Sequence, residues 1–227
     1  MTPQQIRPIF YDQAGWLMQI HPEKHRTTYL TIKRGFDLLI AVTMLPLLLP
    51  VFILCAILIR LESPGPIFFT QERTGKDGRR FRMFKFRTMV ANAEELKKEL
   101  VPLNEDGELA QPVKLENDPR ITRMGRFLRK TSLDELPQVI NVINGEMSWV
   151  GPRPTSFGLK SYRLRHTERL EVMPGITGLW QLYGRGDTDF DTWLYWDSIY
   201  IEKQCLWLDF QILGRTVFAV LKQQGSR

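Results

Sequence analysis

Two adjacent carboxylates and a rigidly held arginine are the residues of this chain best suited to chemistry. Asp134 and Glu135 are neighbours, and Arg153 stands between two prolines in the sequence GPRP at 151–154. A guanidinium fixed in this way is suited to binding a phosphate. The alternative is that both acids are ordinary first-turn residues of a helix, where negative charge interacts favourably with free N–H groups.

A helix and a short strand are predicted to position these groups. Thr131 or Ser132 can cap a helix that has the two acids in its first turn and that ends at Gly145. One face of this helix is apolar, with residues at helical spacing: Leu136, Val139, Ile140 and Ile143. Residues 147–150 then predict a short strand that leads into the rigid turn around Arg153.

Composition indicates a folded protein with a basic surface. The chain has 227 residues, 43% of them hydrophobic, a formal net charge of +6 and a pI near 9.4. This charge suits nucleic acid, an anionic membrane surface or a phosphorylated substrate equally well. With only Cys55 and Cys205, neither a disulfide framework nor a cysteine-based metal site is expected.

A long apolar run follows an N-terminal arm without clear periodicity. Residues 38–59 are apolar except for Thr43, which is about the length needed to cross a bilayer. Pro46 and Pro50 interrupt this run and predict a bend. The residues alone leave three alternatives open: a kinked spanning helix, a re-entrant hairpin, or a buried helix of a soluble protein.

The remaining chain contains basic, acidic and amphipathic segments. Strands over 67–71 and 81–88 are predicted around the turn GKDG at 75–78, and their basic residues alternate with aromatics. This pattern suits a nucleic-acid surface or a strand near anionic headgroups. Helices are predicted over 93–100, 121–129 and, with an amphipathic pattern, 207–221. Four aspartates indicate either a metal site or helix capping: Asp187, Asp189, Asp191 and Asp197.

Four sequence blocks resemble the bacterial sugar transferase family, the monotopic phosphoglycosyl transferases. They are FRMFKFRTM at 81–89, SLDELPQ at 132–138, NVINGEMSWVGPRP at 141–154 and PGITGLWQL at 174–182. The resemblance covers about residues 33–222. It implies an α/β fold, mainly helical with a small β-hairpin or sheet, in which a re-entrant membrane helix-break-helix joins a cytosolic catalytic domain.

The implied domain organisation has four parts. These are an N-terminal arm at 1–32, a membrane segment at 33–62, a catalytic domain at 63–222 and a tail at 223–227. The family's helix break falls at a Ser-Pro pair that corresponds to Leu49 and Pro50 here. Leu49 therefore lacks the hydroxyl that could satisfy a carbonyl freed by the bend.

The resemblance also assigns candidate site residues. Asp134 is expected to be the nucleophile and Glu135 its partner. A cation must offset their negative charge, and Lys85, Arg129 and Arg153 correspond to phosphate-stabilising positions. Asp197 corresponds to a further active-site position. Mg²⁺ is expected near Asp134, with Asp197 as a second candidate ligand, because this ion binds phosphate oxygens with few carboxylates.

The implied reaction moves a sugar 1-phosphate from a UDP-sugar to polyprenyl (undecaprenyl) phosphate. It proceeds through an aspartyl-phosphosugar intermediate, gives polyprenyl-diphosphate-sugar and UMP, and initiates exopolysaccharide, capsule or O-antigen-type glycan assembly. The expected location is the cytosolic face of the bacterial inner membrane, with lipids and no nucleic acid as partners. The alternatives are a membrane scaffold without turnover and a metal-dependent hydrolase of nucleotide sugars.

Overall fold

The chain folds into a mainly helical structure with two small sheets. The structure is a computed structural model that describes residues 26–100, 118–158, 167–184 and 190–222. Its helices are α1 (Arg26–Glu62), α2 (Ala93–Leu100), α3 (Arg123–Thr131), α4 (Gln138–Asn144), α5 (Leu179–Tyr183), α6 (Phe190–Lys203) and α7 (Leu206–Leu221). Its strands are β1 (Phe68–Thr74), β2 (Arg80–Phe86), β3 (Ser148–Val150) and β4 (Gly175–Thr177). The prediction of a mainly helical chain with a small sheet is confirmed.

Helix α1 contains the long apolar run. Of the described helices it alone, over Thr27–Glu62, is long and apolar enough to cross a membrane. Its most apolar 18-residue window has a mean hydropathy of 2.8, and only 11% of that window is buried. A core helix of a soluble protein would be mostly buried, so the exposure favours a membrane. The helix continues through both prolines and begins at Arg26, inside the predicted arm. Pro50 lies in its exposed middle, and the re-entrant topology stays a prediction.

The amino-terminal part of α1 is attached to the globular part by buried polar groups. Lys33 Nζ lies 2.8 Å from Asp209 Oδ2 of α7, and Tyr29 donates a 2.9 Å hydrogen bond to the same oxygen. Tyr200 of α6 donates to Asp209 Oδ1 at 2.8 Å. Because buried charges must be paired, this cluster fixes α1 against α6 and α7.

The carboxyl-terminal part of α1 is attached to the same globular part. Glu62 accepts hydrogen bonds from the backbone N–H groups of Arg123 and Met124, at 2.7 and 2.8 Å, at the start of α3. Cys55 and Ile59 are buried with Phe86 and Leu128. Residues 42–47 between the two attachments are exposed.

Strands β1 and β2 form the predicted antiparallel hairpin. In its register Phe69 pairs with Lys85, and Arg73 pairs with Phe81. The turn contains a short 3₁₀ helix, Lys76–Gly78, where Asp77 and Gly78 adopt positive φ angles of 56° and 73°. Aspartate and glycine tolerate this left-handed conformation, which explains why the local sequence was sufficient to predict the turn.

Strands β3 and β4 are parallel, with Ser148 beside Gly175 and Val150 beside Thr177. The chains approach so closely at their ends that a Cβ atom on Gly175 would lie 2.1 Å from the Gly151 nitrogen. Glycine is therefore required there. Gly175 N donates to Pro152 O at 2.9 Å, which fixes the turn that carries Arg153.

Candidate active site

The two acids lie in a short 3₁₀ helix, Leu133–Glu135, between α3 and α4. The prediction that Thr131 or Ser132 caps a helix containing them is wrong. Ser132 adopts a left-handed conformation, with φ of 58°, closes α3 and makes no side-chain cap bond to the 3₁₀ helix. The predicted end at Gly145 is confirmed, since its φ of 79° terminates α4.

Helix α4 faces the hairpin with a partly polar surface. Ile143, predicted to be buried, is 36% exposed, whereas Gln138, Asn141 and Val142 are buried. Asn141 Nδ2 donates to Arg82 O at 2.7 Å, and its Oδ1 accepts from Phe84 N at 3.0 Å. These bonds to the β2 backbone set the rotation of α4. Apolar spacing does not reveal Asn141, because its contribution is a pair of hydrogen bonds to a distant backbone.

Glu135 is held between two cations from distant parts of the chain. Lys85 Nζ lies 2.8 Å from its Oε1, and Arg153 donates to both carboxylate oxygens, with Nη1 at 3.2 Å from Oε2. Burial by itself would raise the pKa of Glu135, but the charges of Arg153 and Lys85 outweigh it and hold the pKa well below its usual range. Glu135 is therefore ionised and fixed in position.

Asp134 is placed differently from its neighbour. Among the described residues, no side chain or backbone group makes a hydrogen bond or ion pair with its carboxylate. Burial raises the pKa of Asp134 and Glu135 adds to this, while the charges of Lys85, Arg129 and Arg153 oppose it. Within the described part of the chain, Asp134 is thus an unpaired carboxylate near three cations.

Arg129 projects from the last turn of α3 towards this carboxylate. Its Nε donates a 2.9 Å hydrogen bond to Thr88 Oγ1, just after β2. The structure therefore brings together five of the predicted site residues: Lys85, Arg129, Asp134, Glu135 and Arg153.

Asp197 lies behind the site rather than in the charge cluster. It is buried on α6, and its Oδ2 lies 2.8 Å from Arg169 Nη2. Arg169 Nη2 also donates to the backbone oxygen of Arg153 at 2.7 Å. Burial raises the pKa of Asp197 to about 7, although Arg169 opposes this shift. Nothing in the local sequence distinguishes Arg169 from a surface arginine, so its role is visible only in the fold.

The other predicted acids add no metal cluster to the described part of the chain. Asp187 and Asp189 lie outside the described residues, as does the side chain of Asp191. No group of three or more His, Cys, Asp or Glu side chains within the described ranges could hold a metal ion. Mg²⁺ needs only one or two carboxylates when phosphate oxygens supply other ligands, and the uncommitted oxygens of Asp134 fit that requirement.

Known proteins are similar in sequence to this chain over most of its length. Residues 28–223 match the family described as bacterial sugar transferase, and the chain belongs to this family. It is 44% identical over 206 residues to the UDP-galactose-lipid carrier transferase of Erwinia amylovora, covering 89% of this chain and 43% of that protein.

Two further relatives differ from each other in the share of their length that this chain covers. The undecaprenyl-phosphate galactose phosphotransferase of Salmonella typhimurium is 41% identical over 222 residues, with 96% of this chain and 46% of that protein covered. The exopolysaccharide production protein ExoY of Rhizobium meliloti is 41% identical over 197 residues, with 86% and 87% covered. The chain thus spans less than half the length of the first two relatives but most of ExoY.

Replacing Glu135 with glutamine is expected to destabilise the fold. The variant leaves Lys85 and Arg153 without their counter-ion, at a cost of about 2–4 kcal/mol, and should lower the thermal midpoint in detergent. Glu72→Gln is the control, because its pair with Arg80 spans 3.4 Å and is exposed.

The pH dependence gives a second readout of the same variant. The folded-state pKa of Glu135 is lowered, so its stabilisation is present above the ordinary value of 4.5 and is lost as pH falls through the lower folded-state value. The difference in midpoint between wild type and Glu135→Gln should therefore persist at about pH 5. Equal midpoints at neutral pH would contradict the assigned role.

Proposed function

We propose that this protein transfers a sugar 1-phosphate from a UDP-sugar to undecaprenyl phosphate. The observation that carries the proposal is the contrast between the paired Glu135 and the unpaired Asp134 among the same cations. The names of the Erwinia and Salmonella relatives support a UDP-linked donor and a lipid phosphate acceptor, respectively. The name of ExoY supports a role in exopolysaccharide production.

Asp134 acts as the nucleophile in this proposal. One of its oxygens bonds to the sugar-bearing phosphorus of the donor, the bridging P–O bond of the diphosphate breaks, and UMP leaves with that electron pair. An oxygen of undecaprenyl phosphate then attacks the same phosphorus. The bond to Asp134 breaks, which yields undecaprenyl-diphosphate-sugar and restores the carboxylate.

The surrounding cations make an attack between two anions feasible. A carboxylate and a diphosphate repel one another unless positive charge offsets them. Lys85 acts as a point charge, whereas Arg129 and Arg153 offer planar forks to the phosphate oxygens. Glu135 holds Lys85 and Arg153 in place before the substrate arrives, so little reorganisation is needed.

We assign magnesium to the carboxylate of Asp134. When bound to an oxygen of Asp134 and to donor phosphates, the ion would neutralise additional negative charge. Asp197 acts through its ion pair instead: it orients Arg169, which holds the backbone of Arg153.

The apolar part of α1 enters the membrane and returns to the same side. Support comes from its two attachments, since Lys33 pairs with Asp209 near one end and Glu62 binds the start of α3 at the other. This path requires α1 to bend in its exposed middle, where Pro46 and Pro50 each remove a helical hydrogen bond. We place the globular part on the cytosolic face of the bacterial inner membrane, where both substrates meet.

Purified protein incubated with UDP-sugars, Mg²⁺ and undecaprenyl phosphate should release UMP only when the lipid and a matching donor are present. Adding a chelator should stop release, and restoring Mg²⁺ should recover it. Release without lipid would instead indicate a hydrolase. No release with any donor would indicate a scaffold and contradict the proposal.

Asp134→Asn should abolish transfer and also prevent covalent trapping of labelled sugar phosphate on the protein. Loss of the attacking carboxylate should reduce turnover by at least about 10³-fold. Asp77→Asn, in the exposed hairpin turn, is the matched control and should keep wild-type activity. Labelling retained by the Asp134 variant would exclude it as the nucleophile.

Cysteine labelling tests the re-entrant path. Thr31→Cys and Leu61→Cys place exposed thiols near the two ends of α1, while the native Cys55 and Cys205 are buried and give little background. A membrane-impermeant reagent should label neither position in intact cells and both after permeabilisation. Labelling of one position in intact cells would establish a spanning helix.

A further inference from the structure

Arg73 lies on the same face of the hairpin as the site lysine. Paired residues of an antiparallel sheet point to the same side, and alternate residues of one strand share a face. Arg73 pairs with Phe81 and Phe69 pairs with Lys85, so Arg73 and Lys85 share one face. Phe81 on that face is buried in the cluster that also contains Val139 of α4. Arg73 thus points towards the layer that carries the two acids.

The end of β1 is fastened to the turn that carries Arg153. Thr74 N donates to Thr155 O at 2.9 Å, and Thr74 Oγ1 donates to Phe157 O at 2.6 Å. These bonds place Arg73 next to the arginine turn. Gln71 Oε1, on the same face, accepts a hydrogen bond from Arg73 Nη2 and so orients the guanidinium.

Arg73 has no counter-ion of its own. No carboxylate among the described residues lies within ion-pair distance of it, and its buried Nε has no hydrogen-bond partner there. Burial lowers the pKa of Arg73 to about 10, with contributions from the charges of Arg153 and Arg80, while Glu135 opposes the shift. A partly buried cation beside two others is stabilised when an anion binds.

We propose that Arg73, together with Arg153, binds the phosphate of the nucleotide that leaves as UMP. The proposal rests on the proposed function and adds an orientation for the donor. Arg73 lies beside the turn that carries Arg153, and Arg153 pairs with Glu135, whereas Arg129 comes from α3 and bonds to Thr88. The sugar-bearing phosphate must be at Asp134, so the second phosphate extends towards Arg153 and Arg73.

This arrangement serves the leaving group. As the bridging bond breaks, negative charge grows on the phosphate of UMP, and two guanidinium groups on that side stabilise it. Gln71 is the positioning residue for Arg73. The acceptor phosphate, which attacks after UMP has left, does not require Arg73.

UMP binding to the full-length protein in detergent tests the assignment. Arg73→Gln should raise the Kd for UMP by about tenfold or more, because charged hydrogen bonds to phosphate are lost. It should leave the KM for undecaprenyl phosphate within about twofold of wild type. Arg73→Lys keeps the charge but loses the planar fork of the guanidinium. Its Kd for UMP should therefore lie between those of wild type and Arg73→Gln.

Arg82→Gln is the matched control, because Arg82 is exposed on β2 and pairs with Glu72 on the opposite face of the hairpin. It should bind UMP as wild type does. The thermal midpoints of all variants establish that they are folded. If Arg73→Gln is folded and binds UMP like the control, or if it weakens only the lipid acceptor, the inference is wrong.

The two proposals fail in different ways. A wild-type protein that releases no UMP in the transfer assay contradicts the proposed function. Lipid-dependent release by wild type, combined with unchanged UMP affinity in Arg73→Gln, contradicts only the inference about Arg73.

Discussion

The site depends on one carboxylate, Glu135, held by two cations that lie 50 residues before it and 18 residues after it in the chain. Lys85 comes from the hairpin and Arg153 from the turn after β3, so the ion pairs join the two sheets across the 3₁₀ helix. Because Glu135 pairs with both Lys85 and Arg153, the two cations can lie close together without strong repulsion. Its neighbour Asp134 can then remain unpaired.

Behind this contact, a set of backbone interactions limits where Arg153 can move. Gly151 and Gly175 allow two chains to approach closely, and the oxygen of Arg153 accepts a hydrogen bond from Arg169. Asp197 pairs with Arg169 in turn. The guanidinium is thus oriented through its own main chain, which is stiffer than its flexible side chain. A site preorganised in this way loses little energy to rearrangement when a phosphate binds.

The apolar helix α1 is part of the same assembly rather than a separate anchor. Its buried side contacts α4, α6 and α7 through residues such as Tyr29 and Ala41, and its later part packs under the hairpin through Cys55. The exposed middle is apolar. The globular part that carries the charge cluster thus also holds both ends of the helix that is long and apolar enough to cross a membrane.

The sequence by itself determined the local features: the hairpin turn at 75–78, the helix end at Gly145, the apolar run and the motif residues that identify the family. Each depends on neighbours within a few positions, where backbone preference decides the outcome. Only the tertiary structure decided that Glu135 rather than Asp134 takes the cations, that Asn141 sets the rotation of α4, and that Arg169 and Arg73 belong near the site. Those outcomes depend on strand register and on packing between segments far apart in the chain, and local periodicity contains no information about which distant partner a side chain meets.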